Sequence, residues 1–289
     1  MLDAQPTSTC NTTIIEAARK HKHSINQFLN QKHLTHQHLD WFTPLDWLGH
    51  RPYLIEKYNE TIQAILLSAP EVNKSTWIRM FSIRNKSSLA CVWERLLNKT
   101  IAILDNLQIN QLAALGFSSW FIDLLLESNF SLQNKIVVLE WKDNVKIHSK
   151  QLSPVDIRLM HREDLPEIEQ IDHLAFPALW QNSLEGLSNA YHQPGISTVA
   201  IDQDRIIGYQ ISTAVAYEGH LARLAVHPDY QEKHVGSGLV QDLLNRFITK
   251  GFSKITVNTQ INNFASLAIY KKFGFSESQW LIPVFIREI

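Results

Sequence analysis

An apolar strand that stops at a proline, a polar loop, and an amphipathic helix follow one another between Leu221 and Gly251. No other stretch limits the fold so narrowly. Leu221 to Val226 is apolar, and His227-Pro228-Asp229-Tyr230-Gln231-Glu232-Lys233-His234 is polar. Gly236 opens a helix with apolar residues at 239, 240, 243, 244, 247 and 248, and Gly251 ends it. That stripe is the mark of a helix laid on a sheet. The first turn of such a helix has N–H groups with no intrahelical acceptor, and the loop gathers them at one spot that suits a phosphate. The chain therefore reads as α/β with an anion cradle between strand and helix.

Bulk properties bound the rest. A chain of 289 residues can bury a sizeable core and make one or two domains. Residues 1–150 carry 16 Lys+Arg against 13 Asp+Glu, a net of +3, and residues 151–289 carry 11 against 15, a net of −4. Neither half has the basic excess of a nucleic-acid footprint. Cys10 and Cys91 form no disulfide framework and no zinc spacing. No apolar run reaches signal-peptide or membrane-span length. The expectation is a cytoplasmic protein with no membrane or nucleic-acid partner and no metal.

Periodicity orders the elements. Ile14 to Phe28 reads as a helix; Tyr53–Ile55 and Thr61–Ser68 as strands joined at Asn59-Glu60; Trp77–Ile83 as a strand. Leu89–Leu97 and Trp120–Leu126 read as helices, Thr100–Leu104 and Lys135–Trp141 as strands. Residues 142–154 are polar, end in proline and form the expected linker. Beyond them come strand Asp156–Met160, a helix capped by Asp164, the hairpin Ile196–Ala216, and strand Gly219–His227. Helix Gly236–Lys250, strand Lys254–Asn258, helix Asn263–Phe273 and a closing strand Glu277–Arg287 follow. The halves share an element order. Leu125 to Phe130 before Lys135–Trp141 matches Tyr270 to Phe275 before Leu281–Glu288, which points to a tandem repeat.

Two motifs give the second half a resemblance to the GCN5-related N-acetyltransferase (GNAT) family. The first holds Val226, Pro228, Tyr230, Gln231 and Gly236, with His234 where the family usually has its first glycine. The second runs from Asn263 through Tyr270 to Gly274-Phe275, with Ser266 in an alanine position. The resemblance implies a mixed, mostly antiparallel sheet flanked by helices, in two tandem copies: a degenerate copy without a CoA loop over 1–148, and the N-acetyltransferase domain over 153–289. Two central strands would splay apart, with acetyl-CoA, the acyl donor, in the gap. Leu224, Ala225 and Val226 would hold the pantetheine arm. Gln231, Glu232, Lys233, His234, Val235, Gly236, Ser237 and Gly238 would hold the pyrophosphate, and Asn263 the pantetheine amides or its own helix as an N-cap.

Acetylating an amine requires a neutral amine, a stabilised oxyanion and a proton for the leaving thiolate. By resemblance Tyr270 is the acid. Two carboxylates that relatives use as bases are altered. Asn258 stands at one position and His220 at the other, so His220, with Glu218 beside it, is the candidate base. Each has a plainer reading: Tyr270 as a packed helix aromatic, His220 as a strand-edge histidine, Lys233 as a solvated loop residue. His234 hinders close phosphate approach as glycine would not. Histidines 21, 23, 33, 36, 38 and 50 read as a solvated polar segment. Trp41 and Trp47 read as core between elements.

The leading expectation is transfer of acetyl from acetyl-CoA to a primary amine, on a small molecule or a protein N-terminus, by direct attack in a ternary complex. A homodimer is compatible with it. The alternatives are a non-catalytic acyl-CoA-binding or regulatory module and a two-part scaffold.

Overall fold

The computed structural model describes residues 12–142 and 155–289. Cys10, nearly all of the expected linker and the expected boundary between 148 and 153 lie outside the described residues. Contacts divide the chain into two compact units: 12–70, 74–131 and 286–289 in the first, and 71–73, 132–142 and 155–285 in the second.

The first unit contains β1 (Thr12–Glu16), α1 (Lys22–Leu29), β2 (Leu34–Gln37), β3 (Tyr53–Tyr58), β4 (Thr61–Leu67), β5 (Ser75–Trp77), β6 (Met80–Ile83), α2 (Leu89–Asn106), β7 (Gln111–Leu115) and α3 (Ser119–Glu127). One sheet has the order β1-β3-β4-β6-β2. β5 runs parallel to β7. The β3–β4 hairpin turns at Asn59 and Glu60, both at positive φ, as a two-residue primed turn demands. Of the helix predicted over Ile14 to Phe28, the part from Lys22 is α-helix, whereas Thr12–Glu16 forms a strand on β3, because Thr12-Thr13-Ile14-Ile15 is β-branched and stiff at χ1. The predicted strand at Thr100–Leu104 is the continuation of α2: Val92, Trp93, Leu96, Leu97, Thr100 and Leu104 keep helical spacing and are buried. His36, expected in a solvated segment, is buried instead, and His38 is half-buried. Trp47 is core as expected, packed with Phe28, Phe42 and Ile65.

The second unit contains β8 (Ser131–Lys142), β9 (Asp156–Leu159), α4 (Leu165–Ala175), α5 (Leu184–Tyr191), β10 (Ser197–Asp202), β11 (Arg205–Val215), β12 (Glu218–Val226), α6 (Val235–Thr249), β13 (Lys254–Gln260), α7 (Phe264–Lys272) and β14 (Ser276–Glu288). The end residues of β8 and β14, Ser131 and 286–288, count with the first unit. The strand order is β14-β8-β13-β12-β11-β10-β9. β12 and β13 are parallel, whereas β13–β8 and the pairs from β12 out to β9 are antiparallel. Sequence order assigns Lys135–Trp141 to the first half. The structure lays it along β13 over seven residue pairs, with Val137, Leu139 and Trp141 in one core with Ile255 and Val257. α6 packs against that sheet through Leu239, Val240, Leu243, Leu244 and Phe247. Gly208 on β11 lets it come close: a Cβ there would sit 3.3 Å from Val235 and 2.9 Å from the Ala225 carbonyl oxygen.

The two units repeat one detail. At the end of α3 the Phe130 N–H donates to the Leu125 carbonyl at 3.0 Å, with Asn129 at φ 61°. At the end of α7 the Phe275 N–H donates to the Tyr270 carbonyl at 3.1 Å, with Gly274 at φ 86°. Both helices close through a left-handed residue and tuck a phenylalanine under the last turn. Among the described residues no helix is long and apolar enough to cross a membrane.

Candidate active site

β12 and β13 are paired only from Glu218↔Lys254 to Leu221↔Val257. Past that point β12 follows β11 to Val226, and β13 follows β8 to Gln260. The two strands therefore part after Leu221. The register of β12 on β11 shifts between Leu221 and Arg223, so Ala222 is the extra residue of a bulge. A bulge there bends the strand away from its parallel neighbour.

The backbone edges follow from strand alternation. The His227 N–H donates to the Ile207 carbonyl at 2.9 Å, so the odd residues of this stretch face β11. Leu224 and Val226 turn their N–H and C=O groups into the gap. Ala225 turns its groups to β11 opposite Tyr209, so of the three residues expected to line the gap with backbone, only two do so. The Val226 carbonyl accepts from Gln231 Nε2 at 3.2 Å, which ties the loop to the strand.

The loop ends in the left-handed region at His234, φ 64°, the N-cap of α6. Glu232 is also left-handed, at 61°. The sequence marked position 234 as one where the family prefers glycine, and the backbone explains the preference. The first α-helical bond of α6 runs from the Gly238 N–H to the His234 carbonyl at 2.9 Å. The N–H groups of Val235, Gly236 and Ser237 precede it and have no acceptor within the helix. Gly236 has a packing role: a Cβ there would meet Ile269 at 3.3 Å and Val226 at 3.6 Å. The side chains of Gln231 to His234 are exposed, and Lys233 Nζ lies 5.0 Å from the Tyr230 ring centroid. Helix dipole and free N–H groups favour an anion at this point, with Lys233 on the same loop.

α7 brings the second motif to the same side of the sheet. Asn263 Oδ1 accepts from the Ser266 N–H at 3.2 Å, so Asn263 is the N-cap, and its exposed amide nitrogen points to no acceptor in its own cap. Tyr270 is 3% exposed among Leu221, Val257, Phe273 and Phe275. Burial raises its phenol well above the usual value, and a hydrogen bond with the Ser266 side chain pulls the other way. The hydroxyl therefore stays protonated at any physiological pH.

His220 stands one residue before the strands part. Its Nδ1 lies 2.8 Å from Thr256 Oγ1, and burial lowers its pKa, so the ring is neutral at pH 7. Thr256 Oγ1 also reaches the Gly219 carbonyl at 3.4 Å. When the threonine proton is given to that carbonyl, His220 Nδ1 carries the proton and Nε2 is left as an acceptor. Glu218 lies farther back, exposed, with its carboxylate 3.5 Å from Lys254 Nζ. The structure sets His220 beside the divergence and Glu218 away from it.

Sequence reasoning missed a polar cluster on the opposite face of the sheet. Asp172 of α4 is completely buried and accepts from Arg223 Nε at 2.7 Å, from the Asn182 N–H at 2.9 Å and from the Tyr209 hydroxyl. Arg223 Nη2 donates to the Trp180 carbonyl at 2.7 Å, and the guanidinium lies 3.5 Å over the Phe176 ring. The one signal in the sequence is an arginine inside the otherwise apolar run Leu221–Val226; Asp172 stands in a helix of mixed polarity.

Among the described residues no group of three His, Cys, Asp or Glu side chains could hold a metal. The acetyltransferase (GNAT) family model matches residues 165–275, which span the divergence, the cradle and α7. The chain is 30% identical over 102 residues to N-alpha-acetyltransferase 30 of Schizosaccharomyces pombe, across 33% of this chain and 68% of that protein. It is 26% identical over 122 residues to the ribosomal protein bS18-alanine N-acetyltransferase of Salmonella typhimurium, across 42% of this chain and 81% of that protein. A tandem GNAT protein from the clavulanic acid biosynthesis pathway matches 96% of this chain and 98% of its own at TM-score 0.63 and 9% identity, a likeness of fold. By its motifs, its parted strands and these likenesses, the chain belongs to the GNAT family of acetyltransferases.

Proposed function

We propose that the chain transfers an acetyl group from acetyl-CoA to a primary amine by direct attack in a ternary complex. The observation that carries this reading is the convergence of an unpaired β12 edge, at Leu224 and Val226, with the open first turn of α6. An extended pantetheine arm takes the place of the missing strand on that edge. The N–H groups of Val235, Gly236 and Ser237 hold the pyrophosphate, with Lys233 near it. A backbone N–H facing the gap stabilises the oxyanion as the amine nitrogen bonds to the thioester carbon. The C–S bond then breaks and the thiolate takes the Tyr270 proton. His220 Nε2 accepts the proton lost by the amine and passes it through water to the Tyr270 phenolate, which restores both groups, and Asn263 Nδ2 holds a pantetheine carbonyl.

The relatives named for a protein N-terminus support a protein α-amine as acceptor. The tandem architecture supports a small-molecule amine equally, so both acceptor classes are tried. The proposed setting is the cytoplasm. The test is acetyl-CoA turnover with a panel of peptide and small-molecule amines, alongside CoA binding. Turnover with any amine, lost on Tyr270→Phe while CoA binding persists, supports the proposal. CoA binding without turnover on any amine favours a regulatory acyl-CoA module, the reading motivated by His234 and Asn258. No CoA binding ends both.

A further inference from the structure

The central strand of the first unit also bends, but its edge is taken. β5 pairs with β7 as β12 pairs with β13, and the last link is the Ile78 N–H to the Ala113 carbonyl at 2.7 Å. The chain then turns at Ile78-Arg79, and β6 continues beside β4. In the second unit this continuation leaves an edge facing the gap. In the first unit β2 covers it in antiparallel register, from Leu34↔Ile83 to Gln37↔Met80. The pairing extends to the bend, where the His38 N–H donates to the Arg79 carbonyl at 2.8 Å and His36 Nε2 lies 3.3 Å from the Ile78 carbonyl oxygen.

Side chains fill the same space. The His36 ring is stacked on Phe121 of α3 at 3.9 Å between centroids, and it is 2% exposed. His38 is stacked on Trp77 at 4.6 Å. The anion position is also used from within. No glycine loop follows β6, and Asn85 Oδ1 accepts from the Ser87 N–H at 3.0 Å and the Ser87 hydroxyl at 2.9 Å.

We infer that Leu34–Gln37 is a built-in occupant of the first unit's acyl-CoA groove, so that one chain binds one acyl-CoA, in its second unit alone. The inference rests on the proposed function for the identity of the ligand. It rests on the β2–β6 pairing for the number of sites. A strand that belongs to the chain is present at an effective concentration that no free pantetheine arm matches. It also covers the apolar ring of Phe121, which would otherwise meet water.

The test is calorimetric titration of the full chain with CoA, repeated on Lys233→Glu/His234→Asp. Both side chains are exposed, so the fold tolerates the pair, and the new carboxylates repel the pyrophosphate. The expected result is one site per wild-type chain, weakened at least tenfold in the variant, with no second site emerging. Two sites per chain, or a site of unchanged affinity in the variant, overturns the inference. Amide exchange gives a check independent of the ligand. In the free protein the amides of Leu34, His36 and His38, which face β6, and of Phe81 and Ile83, which face β2, should exchange slowly, and CoA should add protection only across 224–238. Fast exchange at His36 and His38 overturns the occupant even if CoA binds. A chain that binds no CoA but protects His36 and His38 overturns the proposed function and leaves the occupied groove standing.

Discussion

Arg223 on β12 and Asp172 on α4 meet at 2.6 Å, with side chains 12% and 0% exposed, directly beneath the segment 176–183. Arg223 holds that segment through the Trp180 carbonyl and the Phe176 ring, and Asp172 holds it through the Asn182 N–H. The strand that opens the gap and the segment on its opposite face are thus fastened by one pair of charges.

Removing one partner leaves the other charge buried. Arg223→Met should cost about 3–5 kcal/mol in urea unfolding. The double change Arg223→Met/Asp172→Asn should recover part of that loss. A double variant no better than the single one would show that the charges are not coupled.

His234→Gly should keep or raise stability, by up to about 1 kcal/mol, because it relieves a left-handed side-chain residue while loosening the unfolded chain. CoA affinity should stay the same or tighten. A tenfold loss of affinity would mean that the imidazole itself holds the phosphate.

Tyr270→Phe removes a hydroxyl whose side-chain hydrogen bond is to Ser266. Stability should change by about 1 kcal/mol or less, CoA affinity should hold, and kcat should fall by roughly 100-fold or more. A wild-type kcat would reduce Tyr270 to a packing residue.

Acid should weaken the fold through its buried imidazoles. Burial pushes His36 down to about 4, and lowers His38 and His220 as well. Their folded values lie below the unfolded value of about 6.5, so the unfolded chain takes protons first. The stability from keeping these rings neutral is complete above pH 6.5 and drains as pH falls toward the folded values. Each ring adds a slope of up to about 1.4 kcal/mol per pH unit. Urea midpoints measured from pH 7.5 to 4.5 should show the decline, and His36→Phe should make it shallower. An unchanged slope in that variant would rule out His36 as a contributor.

The sequence was most legible where local chemistry decides the outcome. The cradle, the stripe of α6, the cap at Asn263 and the turn at Asn59 each follow from a few adjacent residues. Even the strain at His234 could be foreseen, since it stands where glycine is usual. Legibility failed where partners lie far apart in the chain. β2 has four residues, too few for a periodic signal, and its burial comes from Phe121, 85 positions away. Asp172 looks like one more helix-surface charge, and Arg223, though it interrupts an apolar strand, names no partner until α4 and β12 are brought together. β8 has the same alternation whichever strand it joins, so nothing in its residues names β13.

That last pairing bears on how the chain can be cut. A fragment starting at residue 153 loses β8, bares the edge of β13, and strips Val137, Leu139 and Trp141 from the core that holds Tyr270. Such a piece should aggregate on expression. A chain merely nicked between 142 and 155 keeps every strand of the described residues, and its two pieces should elute together as one working protein. The stretch that looks like the natural place for scissors is safe to nick and unsafe to discard from.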